Sequence, residues 1–303
     1  MTGQVLDNGA SWRDATTGIE ERACFLPFDG GAVMVHTHRP PSPSHLGVVI
    51  CSPTDRQHMR NYRRDALIGR SLARAGIAAV RFDYRGTGNS DFLQEPRSLE
   101  TMEADVMHVA EWFEAASGVS QLGFVAEGLS SLPVARVSQR YPLGPVALVE
   151  PVASPRRFYR HLQRTRLVAE ARDGGAEWPL QRNLAATLEV DGWADILGYR
   201  LDASAYRSAV QRDLISDFGT AERRVLVVQL DKRDEIREEL AEVVARLAAL
   251  GFATDSAVIK MEHAWWHIPD WEPDIADEEN ERLVPAVTQW FRSVSGLAEA
   301  RSS

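Results

Sequence analysis

The sequence predicts an α/β fold: a mostly parallel, twisted sheet with helices on both faces, an antiparallel N-terminal hairpin and an inserted helical cap. Three observations predict it. Short apolar, β-branched runs alternate with stretches of helical period along most of the 303 residues, the pattern of parallel strands joined by crossover helices. Two runs near the start are joined by Asp-Gly, the signal of a tight hairpin. Between residues 153 and 221 the alternation breaks for a segment rich in Arg, Trp, Tyr and Ala, which reads as short helices inserted between two strands.

In chain order, "RACFLPF" and "GAVMVHTH" are the hairpin, and "LGVVICSP" is a buried parallel strand ending at Pro53. "MRNYRRDALIGRSLARAG" is an amphipathic helix stopped by Gly76, and "IAAVRFDYRG" is the next strand. "SLETMEADVMHVAEWFEAASG" places Leu99, Met102, Val106, Val109 and Phe113 on one helical face and ends at Gly118. "QLGFVAEGLSSLPVAR" is a strand, a turn of small residues and a helix. The strand "GPVALVEP" follows, then, beyond the insertion, the strand "RRVLVVQL". "DEIREELAEVVARLAALG" is a helix, "TDSAVIKM" a strand, and "ENERLVPAVTQWFRSV" the last helix. The core is thus expected from residues 1–152 and 222–303, with 153–221 as the cap.

Composition excludes several function classes. A net charge of −9 repels nucleic acid and anionic membrane surfaces, and no apolar run is long enough to span a bilayer. The start, "MTGQVLDNGASWRDATTG", lacks the basic flank and apolar core of a signal peptide. The two cysteines, Cys24 and Cys51, fit neither a disulfide framework nor a metal site. No glycine loop has the strand–helix context of a dinucleotide site. The expectation is a cytoplasmic protein with a small-molecule substrate, no metal and no cofactor; a homodimer stays open.

At "FDYRGTGNSD", residues 82 to 91, the chain resembles the α/β-hydrolase superfamily, through a D-x-R-G-x-G-x-S motif formed by Asp83, Arg85, Gly86, Gly88 and Ser90. The element order matches from the hairpin to the last helix. More narrowly it is similar to the bacterial serine-aminopeptidase-like and exosortase-associated hydrolase relatives, some of which also lack the usual elbow serine. The resemblance implies a nucleophile elbow at "VAEGLSS" and oxyanion-hole amides from Leu129 and from the turn of residues 52–55, Ser52 among them. It also implies an acid after "VVQL" and a histidine after "VIKM". A place in specialised metabolism is implied by resemblance alone.

An elbow needs small residues two before and two after the nucleophile. With Gly128 in the middle these are Ala126 and Ser130; with Ser130 in the middle, Leu132 is too large. The seat therefore belongs to a residue with no side chain to attack with. The acid position falls on Asp234, with Asp231 as the alternate, although Asp234 also fits as a cap of the following helix. The histidine position falls on His263, with His267 second. Trp265 and Trp266 make that loop strongly aromatic, suited to one wall of a pocket. Thr54 and His58 approach from the opposite side, and Glu127, beside the seat, is a candidate base or a wall residue.

Cys51 is either a nucleophile near the oxyanion turn or a packed strand residue. The basic segment "SPRRFYRHLQRTR" could meet a carboxylate, or pair with the chain's own acids. Three readings stay open from the sequence. One is an enzyme that acts on a small carbonyl or ester compound by non-covalent acid–base chemistry: elimination, cyclisation or direct hydrolysis. Another is an esterase or thioesterase whose nucleophile has moved to Ser130 or Cys51. The third is a non-catalytic homologue that binds a ligand or partner.

Overall fold

Fully buried strands read as unbroken apolar runs, and that is what the centre of the sheet contains. The computed structural model describes residues 9–28, 30–54, 56–91, 97–172, 184–196, 198–219, 223–260 and 273–295. Strands β1 (Ala10–Arg13), β2 (Glu20–Phe28) and β3 (Gly31–Arg39) lead into β4 (Leu46–Cys51), all six residues of which are buried. Helix α1 (Arg56–Arg74), strand β5 (Ala78–Phe82) and helix α2 (Leu99–Ser117) follow. Strand β6 (Gln121–Glu127) then turns into helix α3 (Ser131–Val137), and β7 (Val146–Val149) closes this half.

Between β7 and the next sheet strand the chain forms helices α4 (Pro155–Arg172) and α5 (Leu184–Asp191), strands β8 (Trp193–Ile196) and β9 (Tyr199–Asp202), and helices α6 (Ala203–Val210) and α7 (Leu214–Phe218). The chain re-enters the sheet with β10 (Arg224–Asp231), α8 (Glu238–Ala249), β11 (Ala253–Lys260) and α9 (Pro273–Val294).

Among the described residues the main sheet has nine strands in the order β1-β2-β3-β5-β4-β6-β7-β10-β11. The first three are antiparallel, and β5 through β11 run parallel in that order. From β4 the chain steps one way to β5 and then back past β4 to β6. The carboxyl ends of β4 and β6 therefore flank the topological switch point, where open α/β sheets leave a crevice for ligands. Cys51 pairs with Ala126 at that crevice.

Alternation along β6 sends Phe124 and Ala126 to the core under α2, α3 and α8, and Val125 to the core under α1 and α9. On α2, Leu99, Met102, Val106, Val109 and Phe113 are all buried, and Gly118 closes the helix at φ 69°. Two features differ from the sequence expectation. The inserted segment carries the antiparallel pair β8–β9 in addition to helices. The polar start contributes β1, whose four residues are exposed; its hydrogen bonds to β2, not burial, hold it, so no apolar alternation announces it.

Candidate active site at the sheet's switch point

Strand β6 ends extended at Glu127 (φ −108°, ψ 133°), and Gly128 enters the left-handed region at φ 55° before one 3-10 turn leads into α3. That reversal turns the residue between strand and helix outward, as a nucleophile elbow requires, and glycine adopts it without strain. An ideal Cβ at Gly128 would lie 2.9 Å from Gln57 Oε1 and 3.5 Å from Pro53 Cβ. The empty position thus faces the turn that follows β4. Ser52 and Thr54 in that turn are buried, as is Leu129 on the other side.

Ser130 has no accessible surface. Its Oγ donates to the Ser52 carbonyl at 2.5 Å and accepts from the Tyr84 hydroxyl at 3.0 Å. The hydroxyl proton is therefore held by a backbone carbonyl rather than by a base. Ser131 Oγ accepts the Val152 amide at 3.1 Å. Cys51 is fully buried, and burial pushes its thiol far above the ordinary range. A thiol so placed is not a thiolate nucleophile near neutral pH.

His58, at the start of α1, sets Nε2 3.4 Å from Asp83 Oδ1 and lies edge-on to Tyr62. Burial opposes ionisation of Asp83, but His58 and the Asn89 amide outweigh it and hold the carboxyl below its usual value. Gly88 (φ 52°) is required there, because a Cβ would collide with the Asp83 carboxylate. Arg85 pairs with Asp105 and lies 4.2 Å above the Phe28 ring. The D-x-R-G-x-G-x-S motif thus ties its own loop to His58 of α1 and Asp105 of α2.

Glu127 points to the α1 side of the sheet, 2% exposed, with Oε2 3.4 Å from Arg64 Nη1. Beside it is Asp65, 1% exposed, which accepts the Ser52 hydroxyl. Sequence reasoning missed Arg64 and Asp65. The signal was present: Asn61, Asp65, Ile68 and Leu72 recur at helical spacing, so two polar residues stand on the apolar stripe of α1.

At the acid position, Asp231 ends β10 opposite Lys260 of β11 and keeps 19% of its side chain exposed, 4.0 Å from Arg237 Nε. Asp234 is 76% exposed and lies 3.6 Å from Lys260 Nζ. It does not cap α8, which starts after Arg237. The buried Gln229 side chain shapes that loop instead, accepting the Arg237 amide at 2.6 Å and donating to the Glu235 carbonyl at 2.9 Å. Glu150, also unforeseen, leaves β7 at φ 49°, accepts the Leu230 amide at 2.5 Å and pairs with Arg237. His263, Trp265, Trp266 and His267 lie outside the described residues, in the segment that follows β11.

Tyr199 of β9 donates its hydroxyl to Met59 Sδ at 2.7 Å, which ties the inserted hairpin to the start of α1. A cavity of about 360 Å³ lies farther off, between the start of α4, α7 and α8; it is lined by Arg156, Arg157, Glu239 and Arg246 and by none of the elbow residues. Arg157 is 3.4 Å from Glu239 there. Among the described residues no cluster of three His, Cys, Asp or Glu side chains is arranged to hold a metal. None of the described helices is long and apolar enough to cross a membrane.

No protein-family profile matches the chain, and no curated protein matches its sequence. Solved structures do match. Est1E from Butyrivibrio proteoclasticus superposes with TM-score 0.61 at 15% identity, over 90% of this chain and 98% of its own. An α/β serine hydrolase without lid from Xanthomonas campestris gives 0.53 at 13% identity, over 90% and 93%. An esterase from Pyrococcus furiosus gives 0.54 at 12% identity, over 82% and 84%. At such identities the likeness is one of fold.

Proposed function

We propose that this chain, which has the α/β-hydrolase fold, is an enzyme that acts on a small, partly apolar carbonyl or ester compound by acid–base chemistry without an acyl-enzyme. The observation that carries the reading is Gly128: the elbow keeps its left-handed φ of 55° and has no side chain to attack with. Neither Ser130, with its proton on the Ser52 carbonyl, nor the buried Cys51 is placed to take over.

The chemistry follows from what remains. The Leu129 amide and one amide of the turn after β4 receive an oxygen that gains negative charge; Pro53 has no N–H, so Ser52 or Thr54 supplies it. His263 is the general base, kept in orientation by Asp231 or Asp234, and the lower exposure of Asp231 favours it. His263 takes a proton from the carbon beside the carbonyl, and the electron pair moves into the C=O to give an enolate held by the amides. Collapse of the enolate then expels a leaving group or closes a ring. The same base can instead take a proton from water for direct attack on an ester.

In this reading His58 and Thr54 form one wall, Trp265 and Trp266 the other, and residues 153–221 the cap. Glu127 works behind the elbow and not on substrate. No metal or cofactor is invoked. Such chemistry suits specialised metabolism.

The test is a panel of activated esters and of carbonyl compounds with a leaving group one carbon beyond the acidic position. Turnover by the wild type is expected to fall by about 10²–10⁴ in His263→Ala with the far-ultraviolet dichroism unchanged. Asp231→Asn and Asp234→Asn then identify the supporting carboxylate. Undiminished turnover in folded His263→Ala refutes the reading.

A further inference from the structure

Behind the elbow, on the face covered by α1 and α9, two carboxyls are almost completely withdrawn from water: Asp65 at 1% and Glu127 at 2% exposure. One oxygen of each is satisfied. Asp65 Oδ2 accepts from Ser52 Oγ, and Glu127 Oε2 faces Arg64 Nη1 at 3.4 Å. The remaining oxygens, Asp65 Oδ1 and Glu127 Oε1, meet no N–H or O–H of the described residues. The two carboxyls are near enough that the charge of Glu127 pushes the Asp65 carboxyl up. Ionised carboxylates only accept, so two of them as neighbours in a dry interior leave both lone oxygens unpaired and repel.

We propose that Asp65 and Glu127 share a single proton, held by Asp65 and donated to Glu127, and that this bond positions the oxyanion turn through Ser52. One proton completes both unpaired oxygens at once. Glu127 is the anion of the two because it has the cation: Arg64 faces it, itself oriented by Asn280 of α9 through Nε at 3.1 Å. Among the described residues the hydrogen bond that Asp65 accepts comes from the neutral Ser52 hydroxyl. Burial first, then repulsion from Glu127, pushes it well above the carboxylate range, against the pull of Ser52, Arg81 and Arg64. Arg81 reaches across from β5, where its guanidinium also covers the Tyr62 ring at 4.6 Å.

Ser52 is the link to the site. Its hydroxyl goes to Asp65 and its carbonyl accepts Ser130 Oγ, so one residue joins the carboxyl pair, the turn after β4 and the elbow. The proton also sets the local charge. With it, the pair and Arg64 sum to zero; without it, a net negative charge stands behind Gly128, where an oxyanion would form. Asp65 and Glu127 are positioning residues, and their role is independent of which carbonyl compound the site takes.

Infrared spectroscopy of the full-length wild-type protein tests this directly. At about pH 8, Asp105, pushed up to about 6 by burial, has lost its proton. The expected result there is a protonated-carboxyl C=O band that moves when aspartate carboxyls are labelled with carbon-13. No aspartate-derived band at that pH overturns the proposal. Asp65→Asn, whose amide can donate to Glu127 as the proton does, is expected to remove the band and keep the melting temperature. It also flattens the loss of stability on the alkaline side, because a carboxyl with a raised folded value stabilises below its unfolded pKa and loses that contribution as pH rises. Glu127→Gln, which leaves Arg64 facing an amide, is expected to melt lower than Asp65→Asn; the opposite ranking also overturns the proposal.

Discussion

A φ of 55° between a strand and a helix costs a non-glycine residue roughly 1–3 kcal/mol, and enzymes accept that cost where a side chain must stand at the crevice. Gly128 keeps the geometry without the cost, while Ser130, one turn of small residues away, is bonded at both its proton and its lone pair. Its hydroxyl therefore belongs to the framework. Ser130→Ala is expected to lower stability by about 1–3 kcal/mol in urea denaturation, since the Ser52 carbonyl and the buried Tyr84 hydroxyl each lose a partner; a change below about 0.5 kcal/mol would show those bonds to be unimportant. The spacing of Ala126, Gly128 and Ser130 made the seat legible in the sequence. Asp65 and Glu127 were not legible as a pair, because they lie on different elements and only the sheet brings α1 under the end of β6.

At the scale of elements, the strands that carry the site were readable because they are buried on both faces and so are apolar without interruption. What was not readable is held by hydrogen bonds rather than burial: the exposed β1, the β8–β9 pair, and the loop of residues 232–237. There Gln229 bonds the Glu235 carbonyl and the Arg237 amide, which moves the start of α8 four residues past Asp234. Glu150 extends the same loop's support, joining the end of β7 to β10 through the Leu230 amide and to Arg237. Glu150→Gln keeps the shape but removes the charge facing Arg237. It is expected to cost about 1–3 kcal/mol and to loosen the segment around Asp231 and Asp234. Hydrogen exchange of residues 230–237 reads this, and unchanged protection there would count against it.

At the scale of the molecule, the order of the sheet explains why the site is where it is: reversal at β4 opens a crevice between β4 and β6, and the elbow and the Ser52–Thr54 turn are the two lips of it. Strand β3 of the same sheet buries His38 and half-buries His36. Burial, with Arg81 adding repulsion, takes His36 down to about 4, and burial, against the pull of Glu21, takes His38 down to about 3. The groups facing them are Glu21 of β2, Arg81 of β5, Asp83 beyond it, and Arg70 of α1.

Both imidazoles are neutral in the fold and would take protons in the unfolded chain from about pH 6.5 downward. Their contribution to stability is present above that pH and is lost as pH falls toward about 4, by on the order of a few kcal/mol. Urea midpoints across that range should fall steeply, and His38→Gln should lessen the slope. An equal slope in the variant would remove His38 from the explanation.

The claim that the reaction proceeds without a covalent intermediate is tested most directly by labelling the wild type and Gly128→Ser with a fluorophosphonate and reading intact mass and the modified peptide. The account predicts no adduct on the wild type and an adduct at position 128 in the variant, whose new side chain would displace the flexible end of Gln57. An adduct on Ser130 or Ser131 of the wild type would contradict it, and would make this protein an ordinary serine hydrolase with a displaced nucleophile.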